Sequence, residues 1–317
     1  EPGPVRAFLR EFLSDRRVVE MHPLLWRPVL EGIILRVRPR ASAAKYATVW
    51  RPGEETSRSG SPLMHYSERQ GELLQQELGE SVQVRVAMRY GQPALRRVMG
   101  ELMEAGCHRI ALIPLYPQYA ASSAGTVVDE AARFILASRN QPELRTIRSF
   151  ETAPAYIEAL ATALEQHWQV HGRPDPAAGE RLLLSFHSIP QAMHDAGDPY
   201  RSECERTAQL LSRRLDLPDG LAQLTFQSVF GPAAWIGPAT IDTVGDLGRA
   251  GCPRLDVICP GFVSDCLETL EEINQLNRET FTTAGGGSFH YIPWGNDSDG
   301  AIAALAQQAR KVLAGWI

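Results

Sequence analysis

In Arg181-Leu182-Leu183-Leu184-Ser185-Phe186-His187-Ser188-Ile189-Pro190 a nearly unbroken apolar run ends on a histidine and a proline turn. The run is too short for a helix and shows no alternating polar face. That is the pattern of a strand buried on both sides of a parallel sheet. Its surroundings repeat the theme. Strand-like runs at 82–88, 109–115, 144–150, 221–228, 255–259 and 289–294 alternate with helix-like segments at 94–105, 123–138, 154–171, 202–215, 241–250, 265–281 and 301–313. Such alternation implies an α/β fold with parallel sheets covered by helices on both faces. The Pro/Gly/Ala-rich 172–179 reads as a surface loop. A length of 317 residues suggests two domains, and the change is placed near residue 151, giving domains over 1–150 and 151–317.

The N-terminal part adds two features. Val5, Phe8, Leu9, Phe12 and Leu13 follow helical spacing with charged residues between them, an amphipathic helix. Residues 22–40 mix Leu24, Leu25, Trp26, Val29, Leu30, Ile33, Ile34 and Leu35 with Arg27, Arg36, Arg38 and Arg40. One reading is a core helix with solvated arginines. The other is an apolar lip with a basic rim, suited to a greasy anionic ligand or to peripheral contact with a membrane surface.

Composition excludes several classes. The formal charge of −5 argues against a protein that coats nucleic acid. No apolar run approaches the ~20 residues of a membrane span. The five cysteines form no CxxC pair, so neither a disulfide framework nor a zinc ribbon is expected, and a reducing cytoplasm is the simplest setting. Neither GxGxxG after a strand nor GxxxxGK[ST] occurs, leaving dinucleotide and triphosphate chemistry unsupported.

Ligands of open α/β sheets bind beyond the carboxyl ends of the strands. His187 lies there after 181–186, as a crevice group or a satisfied core histidine. After 255–259 comes Pro260-Gly261-Phe262-Val263-Ser264, with Ser264 as the expected N-cap of a helix opening at Asp265. Asp265, Glu268 and Glu272, spaced by three and four, would share one face of that helix. Acidic residues near a helix start suit the dipole, but like charges in a row repel and ask for protons or a cation. An imidazole and carboxylates suit a divalent first-row metal and equally a proton relay. Phe186, Phe262, Trp235, Tyr116 and Tyr119 surround them, which suggests a flat, greasy, metal-accepting substrate. Asp195, Gly197, Asp198, Pro199 and Tyr200 form a loop able to close over such a site. His167 and His171 stand four apart, but no third ligand follows at useful spacing. They are read as histidines favoured by the dipole at a helix C-terminus.

At these residues the sequence resembles the ferrochelatases. The likeness runs through Leu183–Pro190 with Asp195, Gly197, Asp198 and Tyr200, and through Phe262–Leu270. It extends to Arg10–Asp15, Arg38-Pro39 with Ser42 and Tyr46, Gly60–Leu63, Met88–Pro93 and Pro114–Tyr119. The resemblance implies two Rossmann-like domains with a porphyrin in the cleft between them, and insertion of Fe²⁺ to form heme, with protoporphyrin IX as the expected porphyrin. It assigns pyrrole proton abstraction, metal ligation or both to His187 and places Glu268 opposite. Asp265 and Glu272 would form an acidic line leading away as a proton or metal relay. Trp235, Phe262, Arg89 and Tyr90 would line the macrocycle, and Arg38, Tyr46 and Ser61 would lie near the propionates. Iron is then a substrate. No permanently bound cofactor is expected, and without the C-terminal cysteines of some relatives no [2Fe–2S] cluster. A monomer or homodimer, cytoplasmic or peripheral to the inner membrane, is expected. Relatives usually begin with an apolar strand, whereas this sequence opens at the following helix, so the first sheet is expected to lack a strand. A polar stretch at 51–60 is longer than usual. A non-catalytic tetrapyrrole or metal binder, or a chelatase for another tetrapyrrole or metal, stands as the alternative.

Overall fold

The computed structural model describes residues 2–51 and 60–317; of the polar stretch at 51–60, residues 52–59 lie outside the described residues. Helix α1 (Pro2–Leu13) is followed by α2 (Pro23–Val29), a wide π-helical turn (Leu30–Ile34) and α3 (Leu35–Val49). Then come α4 (Pro62–Leu78), α5 (Leu95–Glu104), β1 (Arg109–Leu112), α6 (Thr126–Ala137) and β2 (Glu143–Thr146). The second half runs α7 (Pro154–His171), β3 (Arg181–His187), α8 (Gln191–Asp195), α9 (Tyr200–Arg214), β4 (Ala222–Gln227), α10 (Thr240–Arg249) and β5 (Arg254–Ile258). A π-helix (Glu268–Asn277) continues as α11 (Arg278–Thr283), before β6 (Ser288–Ile292) and α12 (Asp299–Leu313).

All strand pairs are parallel. β1 and β2 form one small sheet, and the second sheet has the order β4-β3-β5-β6. β3 is central, and Leu182, Leu183, Leu184, Ser185 and Phe186 are all buried. Ser185 is tolerated because its hydroxyl donates to Gln227 Oε1 (2.8 Å) and pairs with Thr240 Oγ1 (2.8 Å). The chain leaves β3 toward β4 on one side, while β5 leads to β6 on the other. The crevice at the carboxyl ends of β3 and β5 is therefore a topological switch point, where open α/β sheets bind ligands.

Helix α7 covers this sheet with Tyr156, Leu160, Leu164 and Trp168, one buried residue per turn. α12 packs on α7 and also reaches the first half. Arg145 of β2 donates to the carbonyls of Val312 (3.1 Å) and Ala314 (2.8 Å), and Arg310 pairs with Glu77 of α4 (2.6 Å). A buried joint lies nearer the crevice, where Gln70 of α4 donates to the carbonyls of Val263 (3.0 Å) and Asn296 (2.8 Å) and accepts from Ser264 Oγ (3.2 Å).

Three local expectations are corrected. Residues 82–88 form no strand; their one bridge joins Met88 to Ala94. The side chain of Gln75 takes the part of a neighbouring strand, with Nε2 donating to the Val82 carbonyl (2.9 Å) and Oε1 accepting from the Val84 N–H (2.8 Å). Backbone polar groups need a partner, not necessarily a ladder. Second, 22–40 is not a core helix. Leu24, Leu25, Ile33 and Val37 are 78%, 68%, 59% and 67% exposed, while Leu30 and Leu35 turn inward. Third, Ser264 caps no helix. The helical segment begins at Leu267, and Asp265 stands before it, outside any regular element.

Candidate active site

The loops leaving β3, β4 and β5 meet at the switch point. His187 ends β3 opposite Gln227 of β4. Its Nδ1 contacts the carbonyl of Ser188 at 2.5 Å. A carbonyl only accepts, so Nδ1 carries a hydrogen, and in the neutral ring Nε2 is left with its lone pair. Phe262, in the loop after β5, is half-buried with its ring 6.5 Å from the imidazole.

Gln227 bridges this histidine to the acidic helix, since Nε2 donates to the backbone carbonyl of Glu268 (2.8 Å). The next residue, Ser228, has φ +66°, left-handed backbone rarely taken by a residue with a side chain. That bend aims both its N–H and its hydroxyl at Glu272, each bond 2.6 Å long. Burial pushes the Glu272 carboxyl above its usual range. The two Ser228 bonds and the neighbouring His187 pull it back, and Glu268 pushes it up further. Glu272 therefore lies within reach of both His187 and Glu268. In a π-helix, with hydrogen bonds from i to i+5, residues four apart such as Glu268 and Glu272 still neighbour each other.

Asp265 departs from the expected row. It is 8% exposed and stands ahead of the helix, bonded within a polar network of its own. Its carboxylate accepts from Thr269 Oγ1 (2.7 Å), Asn296 Nδ2 (2.7 Å) and the Tyr291 hydroxyl, and its N–H donates to Asn296 Oδ1 (2.7 Å). The loop after β6 reaches it through Gly295, where a Cβ would stand 2.1 Å from the Val263 carbonyl oxygen. The expectation of three carboxylates on one helix face fails because Asp265 precedes the helix.

The lip closes one side. Tyr46 of α3 is half-buried, and burial, then the charge of Glu268, raise its phenol. Lys45 pairs with Glu271 at 2.9 Å. Arg38 lies over the Phe230 ring (4.8 Å to the centroid), Phe230 packs on Trp235 (4.8 Å), and the Trp235 indole donates to the Phe230 carbonyl (2.9 Å). Arg89 and Tyr90 are held together: Arg89 pairs with Asp15 and donates to the Thr126 carbonyl (2.8 Å), and the Tyr90 hydroxyl donates to Asp15 (3.1 Å). Ser61 caps α4 by accepting from Met64 N–H (3.5 Å). The 195–200 loop is anchored, with Asp198 accepting from Ala121 N–H at 2.7 Å, and nearby Glu203 accepts from Tyr119 N–H at 2.7 Å.

Sequence reading passed over Gln227, Ser228 and Gln70. A Gln-Ser pair just past a strand was a usable signal for the first two. Gln70, one polar residue on a helix, carried none.

Comparison with known proteins agrees with this architecture. The fold matches that of solved chelatases: SirB from Bacillus subtilis with Fe³⁺ superimposes with a TM-score of 0.57 at 15% identity, covering 81% of this chain and 93% of that one. The sirohydrochlorin chelatase SirB from Bacillus subtilis subspecies spizizenii, in complex with cobalt, gives a TM-score of 0.54 at 12% identity, covering 82% and 91%. The class is thus an α/β fold of the chelatase kind. The ferrochelatase family model matches residues 1–313. The ferrochelatase of Aromatoleum aromaticum is 49% identical over 99% of this chain and 84% of its own length, and that of Dechloromonas aromatica 49% over 98% and 84%. The chain belongs to the ferrochelatase family. It is a metal chelatase, a lyase that inserts iron into a porphyrin for heme synthesis.

Proposed function

We propose that Fe²⁺ enters protoporphyrin IX in the crevice at the ends of β3 and β5, with His187 and Glu268 as the catalytic pair. The observation that carries this reading is the bridge from the end of β3 to the acidic helix: Gln227, opposite His187 in the sheet, donates to the Glu268 carbonyl, and Ser228 grips Glu272. Metallation removes two pyrrole protons and strips water from the metal. His187 Nε2, the ring nitrogen not engaged by the Ser188 carbonyl, accepts a proton or ligates the metal. Glu268 faces it as a second ligand and charge balance, in keeping with the taste of Fe²⁺ for imidazole and carboxylate. Glu272, whose proton is held more tightly than usual, passes protons outward. Asp265 supports the end of this relay by fixing the loop through Tyr291 and Asn296, rather than by joining the row. Phe262, Trp235, Arg89 and Tyr90 border the macrocycle, and Arg38, Tyr46 and Ser61 lie on the side where propionates would be received.

No described helix is long and apolar enough to cross a membrane. The exposed Leu24, Leu25, Ile33 and Val37 beside Arg27 and Arg36 favour peripheral contact of the lip with an anionic lipid surface. Flotation with phosphatidylglycerol vesicles tests this.

Absorption spectroscopy tests the main reading. Adding Fe²⁺ to the protein with protoporphyrin IX should convert the free-base spectrum to the metallated one over many turnovers. His187→Ala should abolish conversion while porphyrin still binds. Wild-type turnover in that variant would overturn the assignment.

A further inference from the structure

A second group of ligand-type side chains lies at the opposite end of the same sheet. His167 and His171 share the last turns of α7, and the strands bring Asp256 of β5 and His290 of β6 against them. The three imidazoles form a cluster, with ring centroids 4.4 Å apart for His167–His171 and 4.9 Å for His290 to each of the others. Asp256 is fully buried, and its Oδ1 lies 3.0 Å from His290 Nδ1 and 3.9 Å from His167 Nε2. Donor atoms of His167, Asp256 and His290 all fall within 4.8 Å of one another.

The surroundings are built to hold these groups. Arg254 grips both oxygens of Asp256 (2.9 and 2.8 Å) and donates to the His171 and Gly172 carbonyls (2.8 Å each), tying the carboxylate to the end of α7. The Trp168 indole donates a further bond to Asp256 (2.9 Å). Arg254 balances the buried carboxylate, so a third partner is not needed for charge alone. Yet His167 Nε2 is buried with no protein hydrogen-bond partner, an unusual state for a ring nitrogen. His171 is exposed at the rim and gives access from solvent.

We propose that His167, His171 and His290, with Asp256, form a binding site for a borderline divalent first-row metal such as Zn²⁺ or Co²⁺, separate from the iron-insertion crevice. Metal–nitrogen bonds of about 2.0–2.1 Å would draw the donors together by small ring rotations. Imidazole is the ligand type common to this metal group. The carboxylate orients His290 and shares the charge, a common arrangement around histidine-bound metals. The bound ion would fasten the C-terminal end of α7 to β5 and β6. It takes no part in the metallation reaction.

Co²⁺ titration followed by its visible d–d absorption is the direct test, made in His187→Ala to silence the crevice histidine. One equivalent should bind with an intense tetrahedral-type band. Adding His167→Ala with His290→Ala should weaken that affinity on the order of 100-fold or more. An unchanged titration in the triple variant, or no such band in His187→Ala, overturns the proposal. Should the triple variant fail to fold, crystals of the intact chain soaked in Zn²⁺ decide: an anomalous difference peak among the four side chains supports the site, and its absence at saturating Zn²⁺ overturns it.

Discussion

Ser228 holds Glu272 with two bonds from one residue, its N–H and its hydroxyl each 2.6 Å from a carboxylate oxygen. The left-handed backbone of Ser228 makes this possible, and it comes at a cost in strain. Glycine takes that conformation freely, whereas alanine does not. Ser228→Gly should therefore be more stable than Ser228→Ala by about 1 kcal/mol, measured by urea unfolding. Both should lower the rate of porphyrin metallation, because both lose the hydroxyl bond.

The raised Glu272 carboxyl has a stability signature. A carboxyl whose folded-state proton affinity is raised contributes stability in full below its unfolded pKa, about 4.3. That contribution is lost as pH rises through the folded value. Glu272→Gln should unfold at higher urea than wild type at pH 7–8, with the gap closing toward pH 4. Urea midpoints across that range check it, and a gap that widened on acidification would contradict the cause given for the shift.

Asp265 makes a contrasting case. Its carboxylate satisfies Tyr291, Thr269 and Asn296 in a buried network. Asp265→Ala leaves those donors unpaired and should cost about 2–4 kcal/mol of stability, read by chemical denaturation. Asp265→Asn should recover part of the stability. If Asp265 were instead a freely solvated relay group, Asp265→Ala would slow metallation with little change in the unfolding midpoint.

Asp15 and Arg89 form an ion pair with both side chains about nine-tenths buried, and Tyr90 donates to the same carboxylate. Removing one partner strands the other charge. Asp15→Ala should destabilise by about 3–5 kcal/mol. Lys45→Ala removes a pair whose lysine is about half exposed and should change stability by less than about 1 kcal/mol. Thermal melts of the two variants side by side give the comparison.

Periodicity in the sequence was sufficient for the strand–helix alternation, the parallel sheets, the buried strand ending at His187 and the membership of Glu268 and Glu272 in one helix. These are local properties, set by which residues recur every two or every three to four positions. Segment 82–88 marks the limit of that reasoning. Its composition suits a strand, but strand formation is completed by a neighbour, and there the amide of Gln75 supplies the partner groups. Asp265 marks another, because a spacing of three implies a shared face only if the helix has already begun. The meeting of His167 and His171 with Asp256 and His290 was invisible for a different reason. The two histidines of α7 lie more than eighty positions before Asp256 and His290, and only the order β4-β3-β5-β6, with α7 laid across it, brings them together. Local patterning selects elements and their buried faces; which side chains converge at either end of the sheet is decided by the packing of elements distant in sequence.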